Sequence, residues 1–126
     1  MRRSSKDYEL AKSLIQTAKE DILFLKEVPI TSLSARKVLI SYYDTLRSVL
    51  EAIAAQEGYK VYSHEAFYSF LLQKKEDSLA AKFDRFRKLR NKLNYYGTTI
   101  SPLEVEENKK EMQEMIDILI VRYLSK

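Results

Sequence analysis

Two glycines and two prolines in 126 residues leave this chain little turn chemistry. That scarcity disfavours an architecture of many short strands and favours a few long helices. Apolar residues recur at helical spacing along most of the chain. A first helix is expected from roughly Lys6 to Lys26, with Ala11, Ile15, Ala18, Ile22 and Leu25 on one face and Pro29 ending it. Ser32 or Ser34 can cap a second, whose stripe is Ala35, Leu39, Tyr42, Leu46, Leu50 and Ile53, with Gly58 placed to close it. Ser63 heads a short third helix carrying Ala66, Phe67, Phe70 and Leu71. A fourth begins at Asp77 or Ser78 and stops near Gly97. The fifth has the clearest start, because Ser101-Pro102-Leu103-Glu104 combines a cap, a first-turn proline and a capping-box glutamate. Its apolar face is Val105, Met112, Ile116, Leu119 and Tyr123. With no repeat, low-complexity segment or linker, residues 1–126 read as one all-α domain. The expected form is an antiparallel up-and-down bundle of four long helices plus one short helix.

Composition narrows the chemistry. Hydrophobic content of 45% with 32% charge is that of a globular protein and not of a disordered one. The absence of cysteine excludes disulfides, a thiolate nucleophile and a cysteine-based zinc site. A metal would have to be held by His64, the single histidine, and carboxylates alone, so neither metal nor cofactor is expected. No apolar run approaches the roughly 18 residues of a membrane span. The segment Met1-Arg2-Arg3-Ser4-Ser5-Lys6 is charged and leads into an amphipathic helix, which does not read as a signal peptide. A cytoplasmic protein without a membrane partner is the expectation.

The fourth helix carries the most distinctive stretch, KFDRFRKLRNKLNYYG from Lys82 to Gly97. At 100° per residue, Leu79, Phe83, Phe86, Arg90 and Leu93 fall on one face. Arg90 therefore interrupts an apolar stripe, where a guanidinium is costly unless it is paired or opens into a cleft. The alternative is an arginine that snorkels past the core to water. Asn91 follows it, and Tyr95 lies one turn beyond Asn91. A cation and an amide at the edge of the core, followed by the phenols of Tyr95 and Tyr96, suggest a polar pocket. Six basic residues face one acid, Asp84, between Lys82 and Lys92, while the fifth helix is rich in glutamate. A basic helix beside aromatics can engage RNA, or it can pair with an acidic helix of the same or another chain. Arg85, Lys88 and Lys92 lie opposite the stripe and read as a solvated face. Arg87 flanks Arg90 and is a candidate for binding.

Elsewhere the signals are weaker. Asp44, Arg47 and Glu51 share one side of the second helix, and Arg47 to Glu51 is an i,i+4 pair that reads first as a surface ion pair. His64 can in principle act as a base, but its place in a first turn reads as structural. Tyr8, Tyr42 and Tyr123 fall on stripes as packing residues. There is no phosphate-cradling glycine loop, no Ser-His-Asp order and no metal-ligand spacing.

Arg90-Asn91-Lys92-Leu93-Asn94-Tyr95 resembles the Arg-Asn, three residues, His motif of HEPN domains. Gly58-Tyr59-Lys60-Val61-Tyr62-Ser63-His64-Glu65-Ala66-Phe67 resembles the glycine, polar turn, His-Glu-Ala stretch between helices two and three of that family. The resemblance implies a small helical bundle of the kind found with nucleotidyltransferases and in RNA-cleaving toxins. It also implies a homodimer with the site between protomers, and metal-independent action of an arginine and a histidine on RNA. Carried over by position, Arg90, Asn91 and Tyr95 would be the catalytic set. Arg87, Arg90, Asn91, Tyr96 and a polar residue of the second helix, Glu51 or Asp44, would bind substrate. Tyr95 stands where the family has its histidine, and Gly97 where some members have a tyrosine. A phenol is almost wholly un-ionised at neutral pH, so the phosphate-holding half of the site is kept and the proton-transfer half is altered.

Two classes of function follow. One is a HEPN-like nucleotide- or RNA-binding module, weakly active or inactive as a ribonuclease, working beside a nucleotidyltransferase or in a toxin-antitoxin pair. The other is a dimerisation scaffold in which Arg90 organises an interface.

Overall fold

The computed structural model describes residues 1–124. They form five α-helices: α1 (Tyr8–Glu27), α2 (Ala35–Glu57), α3 (His64–Gln73), α4 (Asp77–Tyr95) and α5 (Pro102–Leu119). The class is all-α, as the glycine and proline count implies. Two strands of two residues, β1 (Arg2–Arg3) and β2 (Tyr59–Lys60), add a small antiparallel ribbon, with Arg2 opposite Lys60 and Arg3 opposite Tyr59.

Local chemistry sets most helix ends. The Asp7 carboxylate accepts from the Leu10 amide, 2.9 Å away, and starts α1. Ser63 accepts from Ala66 at the head of α3. Ser101 and Glu104 form the complete capping box of α5, behind Pro102. Gly58 closes α2 in the left-handed region at φ 82°, its N–H reaching Ala54 and Ala55 carbonyls. A Cβ at Gly58 would also lie 2.8 Å from the Ser4 carbonyl oxygen, so glycine is required there by conformation and by space. Ser34 precedes α2 without capping it through its side chain; its hydroxyl instead donates to the Pro29 carbonyl at 2.6 Å and ties down the α1–α2 turn. Asp77 opens α4 without a side-chain cap.

Helix α2 is the centre of the molecule and packs against α1, α4 and α5. The Asp7 amide meets the Ala55 carbonyl while Leu25 lies by Ser41 and Thr45, so α1 and α2 run in opposite directions. Arg122 pairs with Glu76 and Arg85 with Glu111, which sets α4 against α5 in the same way. Lys109 lies over the Tyr42 ring and Gln56 donates to the Tyr123 carbonyl, so α2 and α5 run alongside each other in the same direction. The core is aromatic in the middle: Tyr42, Tyr43, Phe67, Phe70, Phe83 and Phe86 are all fully buried. Truncating a ring such as Phe83 to alanine would cost about 3–5 kcal/mol.

Two expectations need correction. Tyr8 is 59% exposed and packs no stripe, because it is the first residue of α1 and the stripe begins at Ala11. Tyr123 is half-buried, in a π-helical turn from Ile120 to Leu124 that continues α5 with altered spacing. The acidic fifth helix does meet the basic fourth within the chain, through the Arg85–Glu111 ion pair.

Candidate anion-binding site around Arg90

The stripe of α4 carries Arg90 to the edge of the core: Leu79, Phe83, Phe86 and Leu93 are buried on that face, and Arg90 is half-buried. Its guanidinium lies 5.7 Å from the ring centre of Tyr43 and 5.9 Å from that of Tyr95. This is cation–π distance on two rings. One terminal nitrogen donates to Oδ1 of Asn91 at 3.3 Å, and Nε is buried with no hydrogen-bond partner. Among the described residues Arg90 has no carboxylate within ion-pair distance.

Tyr43 supplies the floor. Its ring stacks on Phe83 (5.6 Å, 25°) and leans on His64 (5.6 Å, 37°), and its hydroxyl lies 2.9 Å from Nδ1 of His64. One turn further along α2, Arg47 also buries an Nε with no partner while a terminal nitrogen meets Glu51 at 3.0 Å. Across the site, Arg87 donates through Nε and Nη2 to Oδ1 of Asp84 at 3.1 and 2.9 Å, and lies 3.6 Å from Glu65.

The electrostatics follow from this crowding. Burial pushes the Tyr43 phenol up to about 12, against the opposing pull of Arg90, Arg47 and Arg87. Burial also lowers His64, and Arg47, Arg90 and Arg87 lower it further, with Asp44 acting the other way. The imidazole is therefore neutral at neutral pH. Burial alone would raise Asp84, but hydrogen bonds from Arg87 and Lys88 outweigh it and hold the carboxyl below its usual range.

Of the residues singled out from the sequence, Arg87, Arg90, Asn91 and Tyr95 share this end of α4. Tyr95 is 68% exposed, and Tyr96, at the helix C-cap, is 78% exposed. Glu51 makes the expected i,i+4 pair and so stands as the counter-ion of Arg47. His64, by sequence a structural first-turn residue, lies against Tyr43 in the field of three arginines. Nothing local in the sequence marks Tyr43 or Arg47 as a site residue. Tyr43 is next to the stripe residue Tyr42, and only the packing of α4 on α2 brings it under Arg90. The cations stand among carboxylates, Glu51 on Arg47 and Asp84 and Glu65 on Arg87, so of these three guanidiniums it is Arg90, with no carboxylate partner, whose fork suits an anion. Among the described residues no cluster of histidine and carboxylates could hold a metal ion, and no helix is long and apolar enough to cross a membrane.

Comparison with protein families, with curated proteins and with solved structures gave no match.

Proposed function

We propose that this protein is a HEPN-like module that binds RNA or a nucleotide through a phosphate at Arg90, and that it is weak or inactive as a metal-independent ribonuclease. The observation that carries the reading is Arg90 itself: a guanidinium in an apolar stripe, without a carboxylate partner and with Nε buried and unpaired. A protein seldom retains such a group for stability alone, since an unpaired buried donor costs about 1–3 kcal/mol. A phosphate would accept from its fork, with the Asn91 amide adjacent. Tyr95 in place of a histidine supports weak or absent cleavage, because a phenol is a poor proton acceptor at neutral pH.

The second reading, a dimerisation scaffold, is supported by the exposed rings of Tyr95 and Tyr96 at the end of α4. Arginine and tyrosine are enriched at interfaces, and the two readings are compatible in a homodimer whose protomers meet near the site. A small nucleotidyltransferase is the partner that the family reading implies. The deciding experiment is titration of labelled single-stranded RNA and of ATP against wild type and Arg90→Ala, with cleavage followed under chelator. Equal affinities for the two proteins would return Arg90 to a purely structural role.

A further inference from the structure

Tyr43 is fully buried, and its hydroxyl lies 2.9 Å from Nδ1 of His64. A buried phenol that keeps its proton must donate it or leave it unsatisfied. Nδ1 is the hydrogen-bond partner of that hydroxyl, so Nδ1 accepts. A neutral imidazole that accepts at Nδ1 carries its own hydrogen on Nε2. Such a ring cannot take up a proton at Nε2. It can only donate there, and protonating Nδ1 would strand the Tyr43 hydrogen inside the core.

The charges around the ring favour the same state. Arg47 on α2 and Arg87 and Arg90 on α4 oppose a cation at His64, and Asp44 on α2 favours one. Glu65, the next residue on α3, is itself near Arg87. Arg47 is matched by Glu51 and Arg87 by Asp84, which leaves Arg90 as the guanidinium without a carboxylate. One unmatched cation beside neutral donors suits the single negative charge of a phosphodiester better than the double charge of a terminal phosphate.

We infer that His64 is a recognition residue and not a base: Tyr43 fixes it as a neutral Nε2–H donor that joins Arg47 and Arg90 in holding an internal phosphodiester of RNA. Tyr43 is then a positioning residue. This rests on the phosphate-binding reading of Arg90, and narrows it from nucleotide or RNA to the diester linkage.

The single histidine makes the test direct. Two-bond proton–nitrogen correlation spectra of the labelled full-length protein report the tautomer without assignment. Wild type is expected to show hydrogen on Nε2 and to titrate below 6.5. In Tyr43→Phe the lock is gone, so both tautomers appear, while burial and the three arginines still hold the midpoint below 6.5. His64→Asn is expected to weaken binding of an eight-nucleotide single-stranded RNA about tenfold, the worth of one hydrogen bond to a charged group. The dinucleotide ApA is expected to bind at least as well as 5′-AMP. His64→Gln serves as the second variant, and melting curves confirm that each variant is folded.

Hydrogen on Nδ1 in wild type would overturn the inference. So would RNA affinity that is unchanged in both His64 variants while Arg90→Ala loses it, and in that case the phosphate reading stands. Tighter binding of 5′-AMP than of ApA would overturn the choice of diester. A wild-type protein that binds none of these probes defeats the phosphate reading, and the inference falls with it.

Discussion

Arg47 and Arg90 share one property: each buries its Nε with no hydrogen-bond partner, and they do so around the same tyrosine. One comes from α2 and the other from α4. Two helices thus each bring an unsatisfied guanidinium N–H to the surroundings of Tyr43.

Arg90→Ala and Arg47→Ala are therefore expected to change folding stability by less than about 1 kcal/mol, since removing an unpaired buried donor offsets the packing that is lost. Both should weaken RNA binding by tenfold or more. Arg90→Lys should not restore it, because an ammonium lacks the planar fork. Urea unfolding beside fluorescence anisotropy separates the two effects. A loss of several kcal/mol with affinity intact would mean that Arg90 supports packing only.

Tyr95→His should raise metal-independent RNA cleavage above wild type, and Tyr95→Phe should not. An imidazole offers both protonation states at pH 7, whereas a phenol offers almost only one. Tyr95 is mostly exposed, so neither change disturbs the core. Cleavage of a fluorogenic RNA with chelator present is the measurement. A folded but inactive Tyr95→His would show that more than one group is missing from the site.

The protein should be a homodimer through the end of α4 that carries Tyr95 and Tyr96. Light scattering at micromolar concentration is expected to give about twice the 14.8 kDa chain mass. Tyr95→Glu together with Tyr96→Glu should shift it to monomer, since a charge in an interface core is costly. A wild-type mass of one chain sinks this prediction.

Glu76 joins the start of α4 to the end of α5 by accepting from Arg122 at 2.6 Å and from the Tyr123 hydroxyl at 2.5 Å. Burial raises its pKa, but these two bonds outweigh burial and bring it below 4.5. A carboxyl lowered in the folded state gives stability that is complete above its unfolded pKa and is lost as pH falls through the folded one. Burial and the bond to Glu76 push Tyr123 up to about 12, so its contribution is full below pH 10 and fades as pH rises toward 12. Glu76→Gln should cost about 1–2 kcal/mol at pH 7, discounted because Arg122 is half-exposed, and should flatten both limbs. Urea midpoints at pH 3, 7 and 11 decide it.

The bundle was legible because its signals are local. Ser101 and Glu104 sit three apart and need no other part of the chain to form their cap. The α4 stripe likewise places Arg90 without reference to any other helix. His64 and Tyr43 could not be paired in this way, because they are 21 residues apart and meet only once α3 packs on α4 and α4 on α2. The β-ribbon escaped for a related reason: strands of two residues have no periodicity, and Arg2–Arg3 gains its order from Tyr59–Lys60. Ser34 makes no side-chain cap because its backbone is already helical and its Oγ accepts from the Thr31 N–H instead.

Gly58 and the ribbon beside it lie at one end of α2, and Tyr43 lies fifteen residues back along the same helix. At 1.5 Å per residue that is a separation of roughly 22 Å. Any polypeptide joined ahead of β1 would leave the bundle beside Gly58, that distance along α2 from Tyr43. A dye or an affinity handle attached there would therefore sit well away from Tyr43 along the helix.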